Sequence, residues 1–156
     1  MPILNLDDFA AAAPPGTVLA GLDVGTKTIG LAVSDADWRF AHPREVIARG
    51  KFGRDFERLS AALDADRAGG MVVGLPLHMD GGMSPRGQAA QAFARNVAQR
   101  RDVPILMWDE RLSTIAAERA LLEMDVSRAK RRDRIDSAAA AFILQGALDR
   151  LVGLSP

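Results

Sequence analysis

Cysteine is absent from this chain, which excludes disulfides, a thiol nucleophile and cysteine-bound zinc, and suits a reducing compartment. Histidine is scarce: His42 and His78 leave little material for a His-rich metal site, although a hard cation held by carboxylates stays open. Net charge is missing too. Twenty Lys+Arg balance twenty Asp+Glu, so no global field draws the protein to a polyanion or a membrane, and any polyanion site must be local. There is no long apolar run: the most apolar stretch, Ser137 to Leu148, is interrupted by Gln145 and falls well short of the roughly 20 residues that cross a bilayer. Met1 to Gly16 has no basic stretch of the kind that opens a secretory signal. The expectation is a soluble, cytoplasmic protein with no membrane partner.

What is present suffices for one domain. A chain of 156 residues with 48% hydrophobic content can bury a sizeable core. We expect a single domain over residues 1–156, with its core at 17–151 and an N-terminal extension at 1–16.

Val18 to Leu22 and Ile29 to Ser34 read as strands joined by the turn Gly25-Thr26-Lys27, and their near-continuous apolarity predicts a sheet covered on both faces. Ala41 to Ile47 is a third strand, which Pro43 assigns to an edge. Phe52, Phe56, Leu59 and Leu63 then recur at helical spacing, predicting a helix that stops at Gly69-Gly70. A short strand at Met71 to Gly74, a loop at Leu75 to Gly87, a helix at Gln88 to Arg101 and a strand at Pro104 to Trp108 follow. Ser113 is placed to cap a further helix, and a basic connector, Ser127 to Arg134, leads into a last helix from about Ile135 to Leu151. The predicted fold is α/β: a three-strand antiparallel meander plus two parallel strands in one mixed sheet, with helices packed on both faces.

The right-handed crossover rule makes the strands at Val18, Met71 and Ile105 parallel, so their C-terminal ends share one edge. Asp23 and the pair Asp109-Glu110 would lie at that edge. A carboxylate ending an apolar strand must be solvated, paired or bound to a cation; the bland alternative for Asp23 is a turn aspartate capping the Gly25 bend. A strand alternates its faces, so only one of Asp109 and Glu110 can share the face of Asp23, and Glu110 is favoured. Against this stands a solvated strand end with Arg111 paired to a neighbour.

Arg128, Lys130, Arg131, Arg132 and Arg134 form the one concentrated basic segment, immediately before Asp136 and around Asp133. Such a run can neutralise a phosphate backbone, or simply be solvated. A helix start also favours acidic residues on its own account. Trp38 and Trp108 are read as core, and His78 as a loop residue and candidate proton carrier. A Walker loop fails in register, because Thr26 stands where its second glycine is required, and the Gly-x-Ser-x-Gly elbow of serine hydrolases is absent.

Four motifs in order, Gly21-Leu22-Asp23-Val24-Gly25 with Thr28-Ile29-Gly30, Val73-Gly74-Leu75-Pro76-Leu77 with Met79-Asp80-Gly81, Asp109-Glu110-Arg111-Leu112-Ser113-Thr114, and Arg134-Ile135-Asp136 with Ala138 to Gln145, give the chain a resemblance. It resembles the YqgF/RuvX family, the pre-16S rRNA nuclease or Holliday junction resolvase group with a ribonuclease H-like fold, from about Val18 to Asp149. Two departures stand out: His78 where the family has Asn, and Asp133-Arg134 in what is usually a lysine-rich stretch.

The resemblance implies a catalytic and metal-binding carboxylate triad of Asp23, Glu110 and Asp136, with Asp133 as the alternative third ligand. It implies one or two Mg²⁺ (or Mn²⁺) ions, which activate water for in-line attack on a phosphodiester. Lys27, Arg111, Arg128, Lys130, Arg131 and Arg132 are the candidate substrate-binding cations. The expected activity is endonucleolytic, acting on structured precursor rRNA at the 5′ end of pre-16S rRNA, or alternatively on branched DNA as a Holliday junction resolvase. The oligomer, monomer or homodimer, is left open. Readings of another class are a non-catalytic nucleic-acid-binding module and an ATP-binding domain, the latter disfavoured by the lack of a second Asp-x-Gly loop.

Overall fold

The computed structural model describes residues 3–14, 16–78, 80–112 and 128–153; the side chains of residues 112 and 128–137 are outside this description. The elements run β1 (Ile3–Leu4), α1 (Leu6–Ala12), β2 (Val18–Val24), β3 (Thr28–Ser34), β4 (Ala41–Ala48), α2 (Phe52–Ala65), β5 (Ala68–Leu75), α3 (Pro85–Arg100), β6 (Ile105–Asp109), a 3-10 turn (Glu110–Leu112) and α4 (Arg128–Gly153). One sheet holds all the described strands in the order β1-β6-β5-β2-β3-β4. β2, β3 and β4 form the antiparallel meander, and β5 and β6 add in parallel beside β2.

Alternation along the strands sends side chains to two cores. Ala20, Leu22 and Val24 of β2 pack with Leu59 and Leu63 of α2 and with Ala90, Phe93 and Val97 of α3. Leu19 of β2 and Val72 of β5 pack instead with Phe9 of α1 and with Ala140, Leu144, Leu148 and Leu151 of α4. Helices therefore cover both faces, which is why these strands read as continuous apolar runs. Trp108 is buried in the second core, and half-buried Trp38 packs against it while donating its indole N–H to the Thr17 carbonyl at 2.7 Å. β4 is the sheet edge, as Pro43 demanded.

Several sequence-based boundaries are corrected, among them the start of α3, at Pro85 rather than Gln88. Gly69-Gly70 do not end a helix; α2 closes earlier, through Asp66 and the left-handed Arg67 (φ 54°), and both glycines belong to β5. Packing explains them: a Cβ on Gly70 would lie 2.8 Å from Leu19 Cδ2 and 3.0 Å from Phe9 Cζ. The basic segment is not a connector, since α4 begins at Arg128, in keeping with the good helix propensity of Arg, Lys and Ala. Asp133 and Asp136 are thus inside a helix rather than at its start. The helix predicted after Ser113 lies outside the described residues.

Within the stretch 1–16, β1 pairs in parallel with β6, and α1, capped by Asn5 whose side chain accepts from the Asp8 N–H at 2.8 Å, buries Phe9 completely. Gln145, the residue interrupting the last apolar stretch, ties α4 to the start of β4: its Oε1 accepts from the Ala41 N–H and its Nε2 donates to the Arg39 carbonyl, each at 2.9 Å. A polar residue in that position holds the long helix in one register on the sheet.

Candidate active site at the carboxyl edge of the parallel strands

β2, β5 and β6 end at one edge, with Leu22 level with Val73, Gly74 with Trp108 and Leu75 with Asp109. Asp23 is the penultimate residue of β2, ahead of the turn in which the Gly25 N–H donates to the Thr28 carbonyl at 2.8 Å. Arg49 braces this turn, its Nη1 donating to the Gly25 carbonyl at 2.8 Å. Lys27 is exposed in the same turn.

Glu110 follows β6 and reaches over β5. A Cβ on Gly74 would stand 3.0 Å from Glu110 Oε1 and 2.5 Å from Ile143 Cδ1, so only glycine leaves room for this carboxylate beneath α4. Gly21 plays the matching part on β2, where a Cβ would meet Leu144 Cβ at 2.7 Å and the Ala140 carbonyl at 2.9 Å. Two glycines on neighbouring strands thus let α4 lie close to the sheet behind the carboxylates.

Burial and then the neighbouring charge of Asp23 push the Glu110 carboxyl up to about 7; Arg86 opposes this, and Asp109 adds to it. Asp23 and Glu110 therefore share a site, although they stand far apart in the sequence. Asp109 has another role. Arg111 forks onto it, with Nε at 3.0 Å from both carboxylate oxygens and Nη2 at 2.6 Å from Oδ2. That fork holds the Asp109 carboxyl below the usual carboxylate range.

Arg111 also lies under the loop after β5, where its Nη1 approaches the His78 carbonyl at 3.5 Å. His78 is exposed, and its N–H and carbonyl close the loop by bonding Gly82 and Gly81 at 2.8 Å. Asp136 falls in α4 one helical turn before Ala140, whose carbonyl lies against Gly21. The side chains of Asp133, Asp136, Arg128, Lys130, Arg131 and Arg132 are outside the description.

Sequence reasoning missed Arg86. It occupies the first turn of α3, with Nη2 3.7 Å from Asp23 Oδ1. The signal available was Ser84-Pro85, an N-cap followed by a proline at the first helical position, which starts the helix ahead of Arg86 rather than behind it.

Among the described residues no group of three or more metal-ligating side chains forms. Asp23 and Glu110 nonetheless make a pair of hard oxygen donors whose mutual repulsion a divalent cation would relieve, and this donor chemistry fits Mg²⁺ or Mn²⁺. A cavity of about 320 Å³ opens elsewhere, between α2 and the sheet, floored by Leu31, Leu59 and Leu63 and rimmed by Arg44 and Asp66.

A mixed sheet with acidic groups at the ends of its parallel strands and a long helix laid behind them has the architecture of the ribonuclease H-like class. The architecture is similar to Thermus thermophilus RuvC, solved with a Holliday junction substrate, with a TM-score of 0.59 at 20% identity over 89% of this chain and 98% of that one. It is also similar to the yeast mitochondrial Holliday junction resolvase Ydc2, with a TM-score of 0.52 at 12% identity over 96% and 86%.

Residues 17–150 match the RuvX family, described as Holliday junction resolvase, and the chain belongs to that family. Among curated relatives, a Rhizobium meliloti protein is 56% identical over 99% of this chain and 94% of its own length. A Brucella anthropi protein is 60% identical over 97% and 92%. Both carry the name "Putative pre-16S rRNA nuclease". The chain is accordingly a hydrolase of phosphodiester bonds.

Proposed function

We propose that the chain is a metal-dependent endonuclease of the cytoplasm that trims the 5′ end of pre-16S rRNA during ribosome biogenesis. Asp23, Glu110 and Asp136 are its catalytic carboxylates. The observation that carries this reading is the confrontation of Asp23 and Glu110, two acids delivered by parallel strands to one edge and close enough for one to raise the proton affinity of the other. The names of the relatives at 56% and 60% identity support the rRNA substrate.

Asp23 and Glu110 would hold one or two Mg²⁺ or Mn²⁺ ions, with Asp136 completing the set. A bound ion would supply Lewis-acid activation of water and neutralisation of charge at the phosphoryl group. The chain's own groups do the rest. Glu110 must give up its proton before it can serve as a ligand, so the site becomes competent as the pH rises through its pKa. Arg111, anchored by Asp109, presents positive charge beside the loop at 76–84, and Lys27 is exposed in the turn that follows Asp23. With the basic first turns of α4, namely Arg128, Lys130, Arg131 and Arg132, they would align the phosphate backbone.

Branched DNA is the second reading, favoured by the family's description as Holliday junction resolvase. The test runs wild-type and Asp23→Asn protein in parallel on pre-16S rRNA and on a four-way DNA junction, in Mg²⁺ and in Mn²⁺. Wild-type cleavage of the rRNA, abolished in Asp23→Asn with its melting curve nearly unchanged, is expected. Wild-type rates in the variant would remove Asp23 from the site, and cleavage of the junction alone would select the second reading.

A further inference from the structure

Among the described residues, two arginines at the carboxylate edge are held very differently. Arg111 is locked in a forked hydrogen bond to Asp109. Arg86 approaches Asp23 at 3.7 Å, an ion pair too long for a hydrogen bond, with its own side chain 53% exposed while that of Asp23 is 15% exposed. Its backbone, by contrast, is fixed. Ser84 caps α3 by accepting from the Gly87 N–H at 2.9 Å and donates its own hydroxyl to the Pro76 carbonyl at 2.5 Å. A Cβ on Gly87 would lie 2.6 Å from that same carbonyl, so the first turn of α3 is pressed onto the chain leaving β5. A rigid base and a loosely held guanidinium make a tethered cation that can move its charge without moving the fold.

Electrostatics gives that freedom a direction. While the carboxylates carry no metal, Arg86 is attracted to them. A divalent cation on the same carboxylates reverses the force, because two positive charges within about 5 Å repel strongly at the effective dielectric of a protein surface. The guanidinium then needs another anion within reach. A phosphodiester offers one, with oxygen geometry that an arginine fork matches.

We propose that Arg86 is an exchangeable counter-cation: it neutralises Asp23 while no divalent ion is bound, and turns to a non-bridging phosphate oxygen of the nucleic acid when an ion takes its place. This rests on the reading of Asp23 and Glu110 as the metal-binding pair. Arg86 thereby makes metal binding weaker in the free protein and substrate binding stronger in the loaded one, coupling the two.

The test uses Arg86→Gln and Arg86→Lys in the full chain. Mn²⁺ affinity without nucleic acid is read by electron paramagnetic resonance of free Mn²⁺. Binding of the rRNA fragment is read in Ca²⁺, an ion chosen to permit binding without turnover, across a salt series. Arg86→Gln should bind Mn²⁺ several-fold to about 10-fold more tightly, from loss of one nearby like charge. The same variant should bind the RNA more weakly and lower the slope of log affinity against log salt by about 0.7 to 0.9, the value for one phosphate contact. Arg86→Lys should restore most of the salt slope and most of the Mn²⁺ competition.

Unchanged Mn²⁺ affinity and salt slope in Arg86→Gln, with wild-type protein binding Mn²⁺ normally, would overturn the exchange and leave the metal site standing. Failure of wild-type protein to bind Mn²⁺ at all would overturn both.

Discussion

Replacing Glu110 by Gln should make the metal-free protein more stable while destroying its activity. A carboxyl raised from its ordinary 4.5 to about 7 binds its proton more tightly in the folded state than in the unfolded one. Between those two values the folded state therefore holds more protons, and stability falls as pH rises. The stability is fully present below about 4.5 and lost by the time pH has risen through about 7; above that the cost is constant. At about 1.36 kcal/mol per tenfold change in proton affinity, the upper bound is roughly 3 kcal/mol. Glu110 is partly open to water, so screening reduces the usable figure to about 1.5 kcal/mol. For a domain of this size about 1 kcal/mol moves the melting temperature by roughly 2–4 °C, which places Glu110→Gln about 3–6 °C above wild type at pH 8. Glutamine keeps the shape and removes the charge, so the gain should shrink several-fold at pH 5, where wild-type Glu110 is already largely protonated. Thermal unfolding of both proteins in chelator at pH 5 and pH 8 measures this directly. A variant no more stable than wild type at pH 8, or one equally stabilised at both pH values, would refute the charge confrontation at Asp23.

Other outcomes follow from the same geometry. Mg²⁺ should raise the melting temperature of wild type more at pH 8 than at pH 5.5, because a ligand that binds only the folded, ionised site stabilises by mass action, about 2.7 kcal/mol at 100 times its Kd; a pH-independent shift would count against Glu110 as a ligand. Gly21→Ala should cost about 1–3 kcal/mol, the usual penalty for overpacking, since its Cβ meets backbone at the Ala140 carbonyl as well as Leu144. It should also lose activity out of proportion to stability, as the helix forced away carries Asp136, and urea denaturation alongside cleavage rates separates the two. Asp109→Asn should cost under about 1 kcal/mol, the range for an exposed ion pair. Its pair with Arg111 is lost in acid in any case, because the depressed carboxyl holds it together above the ordinary 3.8 and lets go only as pH falls through its lower folded value. Chemical denaturation at pH 7 and pH 3 tests that sign.

Much of the fold was legible because it depends on periodicity. The meander, the parallel pair and the shared edge follow from apolar runs at Val18, Ile29, Met71 and Ile105, and the two-sided covering follows from their continuity. Element ends were less legible where two rules gave the same residues different meanings. Gly69-Gly70 reads as a helix stop by local chemistry, but the residues are glycine because Phe9 and Leu19 lie on top of them, a contact between segments that no local rule registers. The basic run from Arg128 reads as a solvated loop by charge and as a helix by propensity, and propensity prevailed. β1 was invisible, since a strand of two residues has no period; only its pairing with β6 makes it a strand.

The site shows the same division between alternation and tertiary contact. Strand alternation allowed only one of Asp109 and Glu110 to share the face of Asp23 without saying which; in the structure Glu110 lies beside Asp23 and Asp109 under Arg111. Arg86 required knowing that α3 starts over the carboxylates, a fact fixed by Ser84 gripping the Pro76 carbonyl rather than by any spacing around Arg86 itself. The glycines carry the deeper consequence. Gly21 and Gly74 occupy neighbouring strands one or two residues before the edge, and both are occluded by α4. A side chain at either position would force the helix and the carboxylates apart. The motif glycines therefore serve the acids from below, setting the depth at which α4 lies, and substitutions there should disturb metal binding before they unfold the protein.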